Sequence, residues 1–337
     1  MIFRRFLAFL SLVGLVLATA LPGLAQTNGT TEGALVADAV TLGDSLTEVQ
    51  TGIYVLRLTN VSPRDGSFDV DFWIWFRWQG TDVRPDQTFE LANGVISNRS
   101  DTEVLNDNGF NYATVRVQGT IYQQFDVREF PLDNHVLTID IEDAQYDASN
   151  LVYVPDASTA LDPTVEVAGW QVGLGRPSAA NHVYPTNYGL QGSGVAESAY
   201  SRFSVPITLE RTSFAPLFKL FWISFLAVVL GLLAFKVKSD DLDARFGMGV
   251  GSIFAASANA FVISDSLPET THITLAEQIN LIAVGAIFLT VFISIWSLRL
   301  RYVERDEASV TLDNWSLVII GVGYVLLNAV VLLLHFV

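Results

Sequence analysis

Cysteine is absent from the 337 residues, which excludes disulfide bonds and metal sites built on thiolates. Histidine is scarce: the four present are His135, His182, His272 and His335, and no two have the spacing of a metal-ligand pair. Basic residues are also few, with 19 Lys and Arg against 35 Asp and Glu and a formal net charge of -16 at pH 7. This balance argues against a nucleic-acid partner and favours cations. We therefore predict no bound metal, no cofactor and no nucleic acid.

Long polar stretches are missing from the last third of the chain. Four apolar segments follow one another there, at about Pro216–Phe235, Phe246–Ser264, Asn280–Leu298 and Trp315–Val337. Each is close to the ~20 residues that a helix needs to cross a bilayer. Because a spanning segment must satisfy its own backbone hydrogen bonds, each segment is expected to be helical. The sequence predicts a four-helix transmembrane domain over residues 213–337.

Basic residues mark two of the three links between these segments. Lys236, Lys238 and Arg245 lie between the first and second, Arg299, Arg301 and Arg305 lie between the third and fourth, and residues 265–277 contain none. By the positive-inside rule, the first and third links are cytoplasmic. The residues before Ser213 and the last residue, Val337, are then expected outside.

The N-terminus has the layout of a secretory signal. Arg4 and Arg5 precede an apolar run from Phe6 to Ala18 that ends in small residues. We predict a cleaved signal peptide over residues 1–25. An uncleaved fifth helix is the alternative, although Pro22 cuts the apolar run short.

The residues between the signal and the first helix alternate in short runs separated by Gly, Pro, Asn and Asp. The clearest run has Phe68, Val70, Phe72, Ile74, Phe76 and Trp78 on one face, and Asp69, Asp71, Trp73, Trp75 and Arg77 on the other. Similar alternation occurs at residues 137–141 and 203–209. Strands and turns at this spacing predict a β-sandwich of about ten strands over residues 26–212.

No pattern in the chain indicates an enzyme. Gly247, Gly249 and Gly251 match part of a dinucleotide-binding fingerprint, but they lie in a membrane segment with no preceding strand. The chain offers no other catalytic constellation, and we expect it not to be an enzyme.

The second apolar segment has one unusual face. At 100° per residue, eight residues fall within about 100°: Asp243, Gly247, Val250, Gly251, Phe254, Ala258, Phe261 and Asp265. Arg245 lies about 180° from Phe254. Acidic ends commonly sit in headgroups and small residues commonly permit close packing. The segment is nevertheless too poor in Leu to face lipid and too polar for an isolated span. The pattern favours a pore, with Asp243 concentrating cations and Phe254 and Phe261 forming apolar constrictions.

Five sequence motifs, taken in order, resemble a known family: GIYVLRLTNV from Gly52, WIWFRW from Trp73, FDVREFPLDNHVLTIDIED from Phe125, FSVPITLER from Phe203 and LPET from Leu267. The chain resembles the pentameric ligand-gated ion channels, the Cys-loop receptor superfamily, in its cysteine-free prokaryotic branch. The resemblance implies a homopentamer, in which the chain joins four identical subunits, gated by a small-molecule or ionic agonist. Together with Asp243 on the pore-lining face, it predicts a channel that conducts cations. It also implies a multi-pass protein of the bacterial inner membrane, in contact with lipid, with the ligand-binding domain and the C-terminus on the periplasmic side. A non-conducting membrane receptor with the same fold is the alternative.

The resemblance also implies residues that couple ligand binding to gating. They are Pro131 in the turn at Phe130–Asp133, Asp133 with Arg211 as an ion pair at the junction of the two domains, and Pro268 in the link after the second helix. A simple solvated pair is the alternative for Asp133 and Arg211.

In this family, agonists bind between neighbouring subunits in a box of aromatic side chains. Trp73 matches the position supplied by the complementary subunit, Tyr146 matches a box residue just after the turn, and Tyr184 or Tyr188 would lie on the capping loop. The tryptophan typical of amine-binding members is replaced by Ala144. Trp73 is equally compatible with packing at the subunit interface.

Overall fold

The computed structural model describes residues 46–189 and 197–336, which form two compact units. One is built from residues 46–126, 134–189 and 197–213. The other is built from residues 214–336 together with Val127–Asp133. The predicted signal peptide, residues 1–25, lies outside the described residues.

The first unit is a β-sandwich. Its strands are β1 (Thr47–Ser62), β2 (Ser67–Trp78), β3 (Phe89–Leu91), β4 (Gly94–Arg99), β5 (Leu105–Asp107), β6 (Phe110–Tyr122), β7 (His135–Asp143), β8 (Leu151–Pro155), β9 (Ala160–Leu161), β10 (Trp170–Leu174), β11 (Ser178–Tyr184) and β12 (Ser198–Arg211). The described residues therefore hold twelve strands where the sequence indicated about ten. The difference arises because strands as short as β5 and β9 leave no alternation to detect.

The strands form two sheets. A seven-stranded sheet has the order β4-β6-β2-β1-β8, with β5 paired to β6 and β9 to β1. A five-stranded sheet has the order β10-β12-β7-β3, with β11 paired to β12. Pairing is antiparallel except where β1 meets β8 and β9. This topology gives each sheet one inward and one outward face.

The core lies between the two inward faces, as the alternation predicted. From Phe68 to Trp78 the six alternating apolar residues of β2 are 3% exposed or less. The inward-facing residues of β7 and β12 are also fully buried: Leu137, Ile139, Ile141, Phe203, Val205, Ile207 and Leu209. Asp71 departs from the pattern, since it lies on the polar face of β2 yet is only 7% exposed. Arg116 explains this burial, because its Nε and Nη2 donate to the carboxylate of Asp71 at 3.0 and 2.8 Å.

The second unit contains four long helices: α1 (Ala215–Leu233, continued by a 3₁₀ turn at Ala234–Lys236), α2 (Leu242–Ser266), α3 (Leu275–Tyr302) and α4 (Asp306–Phe336). All four are long and apolar enough to cross a membrane. They contain the four predicted apolar segments, apart from Val337, which is not described. The fold class predicted from sequence, a β-sandwich followed by four such helices, is confirmed.

Polar caps set where two of these helices begin. Asp241 precedes α2, and its carboxylate accepts a hydrogen bond from the backbone N–H of Ala244. Thr274 and Glu277 form a capping box at the start of α3. Both helices therefore begin four or five residues before the apolar segments, at polar residues that satisfy the unpaired N–H groups of the first turn.

Candidate functional site

The face of α2 predicted to line a pore is exposed along its whole length. All eight of its residues are exposed in the single chain, with Phe254 at 72% and Phe261 at 77%. A Cβ built on Gly247 or Gly251 meets no atom within 4 Å. None of the chain's other described elements covers this face.

The opposite face of α2 packs inside the helical unit. Its buried residues are Arg245, Gly249, Ser252, Ala256, Asn259 and Ile263. Gly249 makes the closest approach, because a Cβ there would lie 2.6 Å from Cγ2 of Val291 on α3. The helix therefore has one face committed to its own bundle and one face left open.

Charges near the start of α2 are divided between these two faces. Asp243 is exposed in the first turn, while Arg245 is buried and paired with Asp313 of α4. A helix N-terminus carries a partial positive charge, which by itself would attract anions. Asp243 opposes that dipole on the open face, and Asp265 is exposed near the other end of the helix.

The Val127–Asp133 segment binds the start of α3. The backbone N–H of Leu275 donates to the carbonyl of Arg128 at 2.8 Å, and that of Ala276 donates to the carbonyl of Phe130 at 3.1 Å. Pro131 is buried, and its peptide bond with Phe130 is cis. The carbonyls of the turn thus satisfy N–H groups that have no partner within the helix. The turn itself packs with the helices.

The other residues predicted to couple binding to gating lie in both units. Asp133 is buried at the end of the turn, and Pro268 is half-buried in the link after α2. Arg211 ends β12 in the sandwich, where its guanidinium lies 3.6 Å above the Trp170 ring and its backbone N–H donates to Asn134. The proposed ion pair of Asp133 with Arg211 stays a prediction.

An aromatic cluster lies on the β11–β12 hairpin. The ring centroids of Tyr184, Tyr188 and Tyr200 are 5.9 to 6.4 Å apart, all edge-on, and His182 stacks its edge on Tyr184 at 4.6 Å. Tyr188 has a positive φ of 51° where the chain leaves β11. The structure brings together both tyrosines predicted for the capping loop and adds Tyr200, which the sequence reasoning missed. Its place on the polar face of β12, two residues before Arg202, was the available signal.

A network of charged side chains is hydrogen-bonded to this cluster through Tyr184. Arg202 donates from Nε to Glu142 at 2.6 Å, and the Tyr184 hydroxyl donates to the other oxygen of Glu142 at 2.8 Å. Glu90 lies directly opposite Glu142 on the neighbouring strand. Like charges at opposed positions repel, and only one of the two carboxylates is paired with Arg202 in the described contacts.

This arrangement shifts several pKa values. Burial, and then the charges of Glu142 and Asp143, raise the pKa of Glu90. Burial also raises the pKa of Asp143, opposed by hydrogen bonds from Thr88 and two backbone N–H groups. Burial and the hydrogen bond to Glu142 raise the pKa of Tyr184. Glu90 and Glu142 are thus two carboxyl groups close to the tyrosines, and Arg202 pairs with Glu142.

Two further residues, Trp73 and Tyr146, were predicted to bind the ligand. Trp73 is on β2 of the seven-stranded sheet, 37% exposed, between Tyr54 on β1 and Arg116 on β6. Tyr146 packs at the margin of the sandwich core. Trp73 and the tyrosines of the cluster belong to different sheets.

No protein-family model matches this sequence. The chain is 21% identical over 273 residues to gamma-aminobutyric acid receptor subunit alpha-3 of Bos taurus, an alignment that covers 73% of this chain and 54% of the relative. The subunits of Homo sapiens and Rattus norvegicus match with the same identity and coverage. The chain thus spans about half the length of the curated relatives it matches. The weak similarity to a receptor subunit agrees with the architecture of the chain, a β-rich unit followed by four apolar helices.

Proposed function

We propose that this chain is the subunit of a ligand-gated, cation-selective channel of the prokaryotic branch of the Cys-loop superfamily. Five identical copies surround an axis in the bacterial inner membrane, with α2 of each copy lining the pore. The sandwich and the C-terminus lie on the periplasmic side. The similarity to receptor subunits fits the expectation that the chain is not an enzyme.

The observation that carries this proposal is the division of α2 into two faces. A helix of this composition, with eight exposed residues that run from Asp243 to Asp265, is unsuited to lipid because it presents carboxylates, glycines and two phenylalanines together. Cyclic assembly of identical chains turns each exposed side chain into a ring around the axis. Such rings supply both a charged filter and apolar constrictions.

Asp243 supplies the charge selectivity. A carboxylate about 6 Å from a passing cation contributes ~0.7 kcal/mol of attraction in water, so a ring of five contributes about 3 kcal/mol before screening by salt. That energy opposes the positive ends of five helix dipoles at the same mouth. The rings of Phe254 and Phe261 then act as the gate, excluding water when narrow.

The agonist site lies between neighbouring chains. Trp73 of one chain faces the tyrosine cluster of the next, and Tyr146 closes the box. Agonist binding favours the open state by binding it more tightly than the closed state. The turn with Pro131 and the link with Pro268 transmit this preference to α2. The carboxyl groups of Glu90 and Glu142 lie close to the tyrosine cluster, and only Glu142 is paired with Arg202 in the described contacts, which supports a cationic agonist.

The test is current through the purified full-length protein in planar bilayers under a salt gradient. We expect a cation-selective reversal potential in the wild type and a shift toward anions in Asp243→Lys. Asp306→Asn is the matched control, because it removes an exposed carboxylate from α4 without touching α2. An assembled protein that binds ligand and passes no current would identify the alternative, a non-conducting receptor.

A further inference from the structure

A buried ion pair joins the start of α2 to α4. Arg245 is 3% exposed and Asp313 is 4% exposed, and two guanidinium nitrogens of Arg245 contact both carboxylate oxygens of Asp313. The Nε of Arg245 also donates to the carbonyl of Val237 at 3.0 Å. The guanidinium is thereby held against the α1–α2 link and away from the open face of α2.

Three buried serines complete this cluster. Ser239 of the α1–α2 link and Ser297 of α3 each share a hydrogen bond with Ser309 of α4, at 2.7 and 2.8 Å. The Ser239 hydroxyl also reaches a carboxylate oxygen of Asp313 at 3.5 Å. The serines bring hydrogen bonds but no charge. Among the described contacts of this cluster, Asp313 is the group that neutralises Arg245.

Arg245 is close to the proposed filter. It follows Asp243 by two residues, which is about 3 Å along the helix axis and about 200° around it. Its charge therefore lies at the level of the Asp243 ring, behind the helix. With Asp313 present, the charge of Arg245 is neutralised, and the exposed carboxylates of Asp241 and Asp243 leave this end of α2 with a net negative charge.

We propose that Asp313, although it does not line the pore, is a second determinant of charge selectivity that acts through Arg245. This inference rests on the proposed channel function. Loss of the Asp313 charge leaves one uncompensated positive charge per subunit beside Asp243. The guanidinium either stays buried and unpaired, which is unfavourable, or turns toward the water at the pore mouth. Both outcomes oppose the charge of Asp243.

A purely structural role for the pair predicts a different result. If Arg245 and Asp313 only hold α4 against α2, Asp313→Asn weakens assembly and leaves the selectivity of the surviving channels unchanged. The reversal potential therefore separates the two roles, whereas a melting temperature does not.

The experiment uses full-length protein in planar bilayers under a potassium chloride gradient. In Asp313→Asn we expect the ratio of cation to anion permeability to fall by about tenfold, the order set by five added charges after screening. Asp313→Glu should keep the wild-type ratio, because it retains the charge. The double variant Arg245→Gln with Asp313→Asn should restore cation preference, because it removes both charges.

The inference is overturned, while the channel function stands, by either of two results. One is an unchanged permeability ratio in Asp313→Asn, and the other is a double variant that is as poorly selective as Asp313→Asn. A wild type that passes no current overturns the proposed function and the inference with it. If Asp313→Asn does not assemble alone, it is co-expressed with wild-type chains. The ratio should then fall as the mutant fraction rises, and a constant ratio overturns the inference.

Discussion

Three glycines on α2 allow the assignment of its faces to be tested with single methyl groups. Gly247 and Gly251 lie on the open face, whereas Gly249 lies about 200° away and packs on α3. A Cβ at Gly249 would lie 2.6 Å from Val291, while one at either of the other two positions meets nothing within 4 Å. The same substitution, glycine to alanine, therefore adds a methyl group to a crowded site at Gly249 and to an open site at Gly247 or Gly251.

The expected changes in the free energy of unfolding follow from these surroundings. Replacing glycine by alanine within a helix stabilises it by about 0.8–1 kcal/mol. Gly251→Ala should gain that amount, because its methyl group meets no neighbour in the chain. In Gly249→Ala the gain is opposed by overpacking against Val291, a stiff β-branched side chain, at a cost of about 1–3 kcal/mol. We expect Gly249→Ala to be less stable than Gly251→Ala by about 1–3 kcal/mol.

The assay pairs thermal unfolding of the purified protein with single-channel conductance. Gly247→Ala and Gly251→Ala should lower conductance and leave the melting temperature unchanged or higher, because five methyl groups narrow the pore. Gly249→Ala should lower the melting temperature and leave conductance near the wild-type value. The opposite pattern, with conductance sensitive at Gly249 and stability sensitive at Gly251, would refute our assignment of the pore-lining face.

Phe254→Ala should raise leak current in the absence of agonist, because removing the ring widens an apolar constriction; an unchanged leak and dose response would locate the gate elsewhere. Glu90→Gln should raise the melting temperature more at about pH 7 than at about pH 4. Burial and the nearby carboxylates raise the pKa of Glu90 above its ordinary 4.5. The native state therefore binds the Glu90 proton more tightly than the unfolded chain does, and it loses stability as pH rises through the raised pKa. An equal change in melting temperature at both pH values would contradict this expectation. Charge reversal at Asp133 or Arg211 should impair gating in assembled protein, and the double reversal should recover part of it; purely additive effects would reduce the two to unrelated charges.

Local patterns in the sequence were enough to predict the architecture. The alternation from Phe68 to Trp78 predicted which face of β2 is buried, because a strand has a period of two and a buried face tolerates little else. The four apolar segments predicted the long helices, because length and composition alone decide whether a helix can span a bilayer. Helix geometry placed Asp243 and Phe254 on one face and Arg245 on the other, and the structure has the first two exposed and the third buried.

Contacts between residues far apart in the chain were decided only by the tertiary structure. Asp71 belongs to a polar face yet is buried, because Arg116 on the neighbouring strand pairs with it. Tyr200 joins the tyrosines of the capping loop because β11 and β12 pair in a particular register, with His182 opposite Tyr200.

The partner of Arg245 is the clearest case. The period of a helix shows that this arginine points away from Phe254, but it carries no information about Asp313, which is 68 residues further along the chain. A buried guanidinium needs an opposite charge, and several aspartates near the ends of these helices were available to supply it. Helical periodicity was enough to place Arg245 on one face of α2. The packing of α4 beside α2 determined that Asp313 neutralises it.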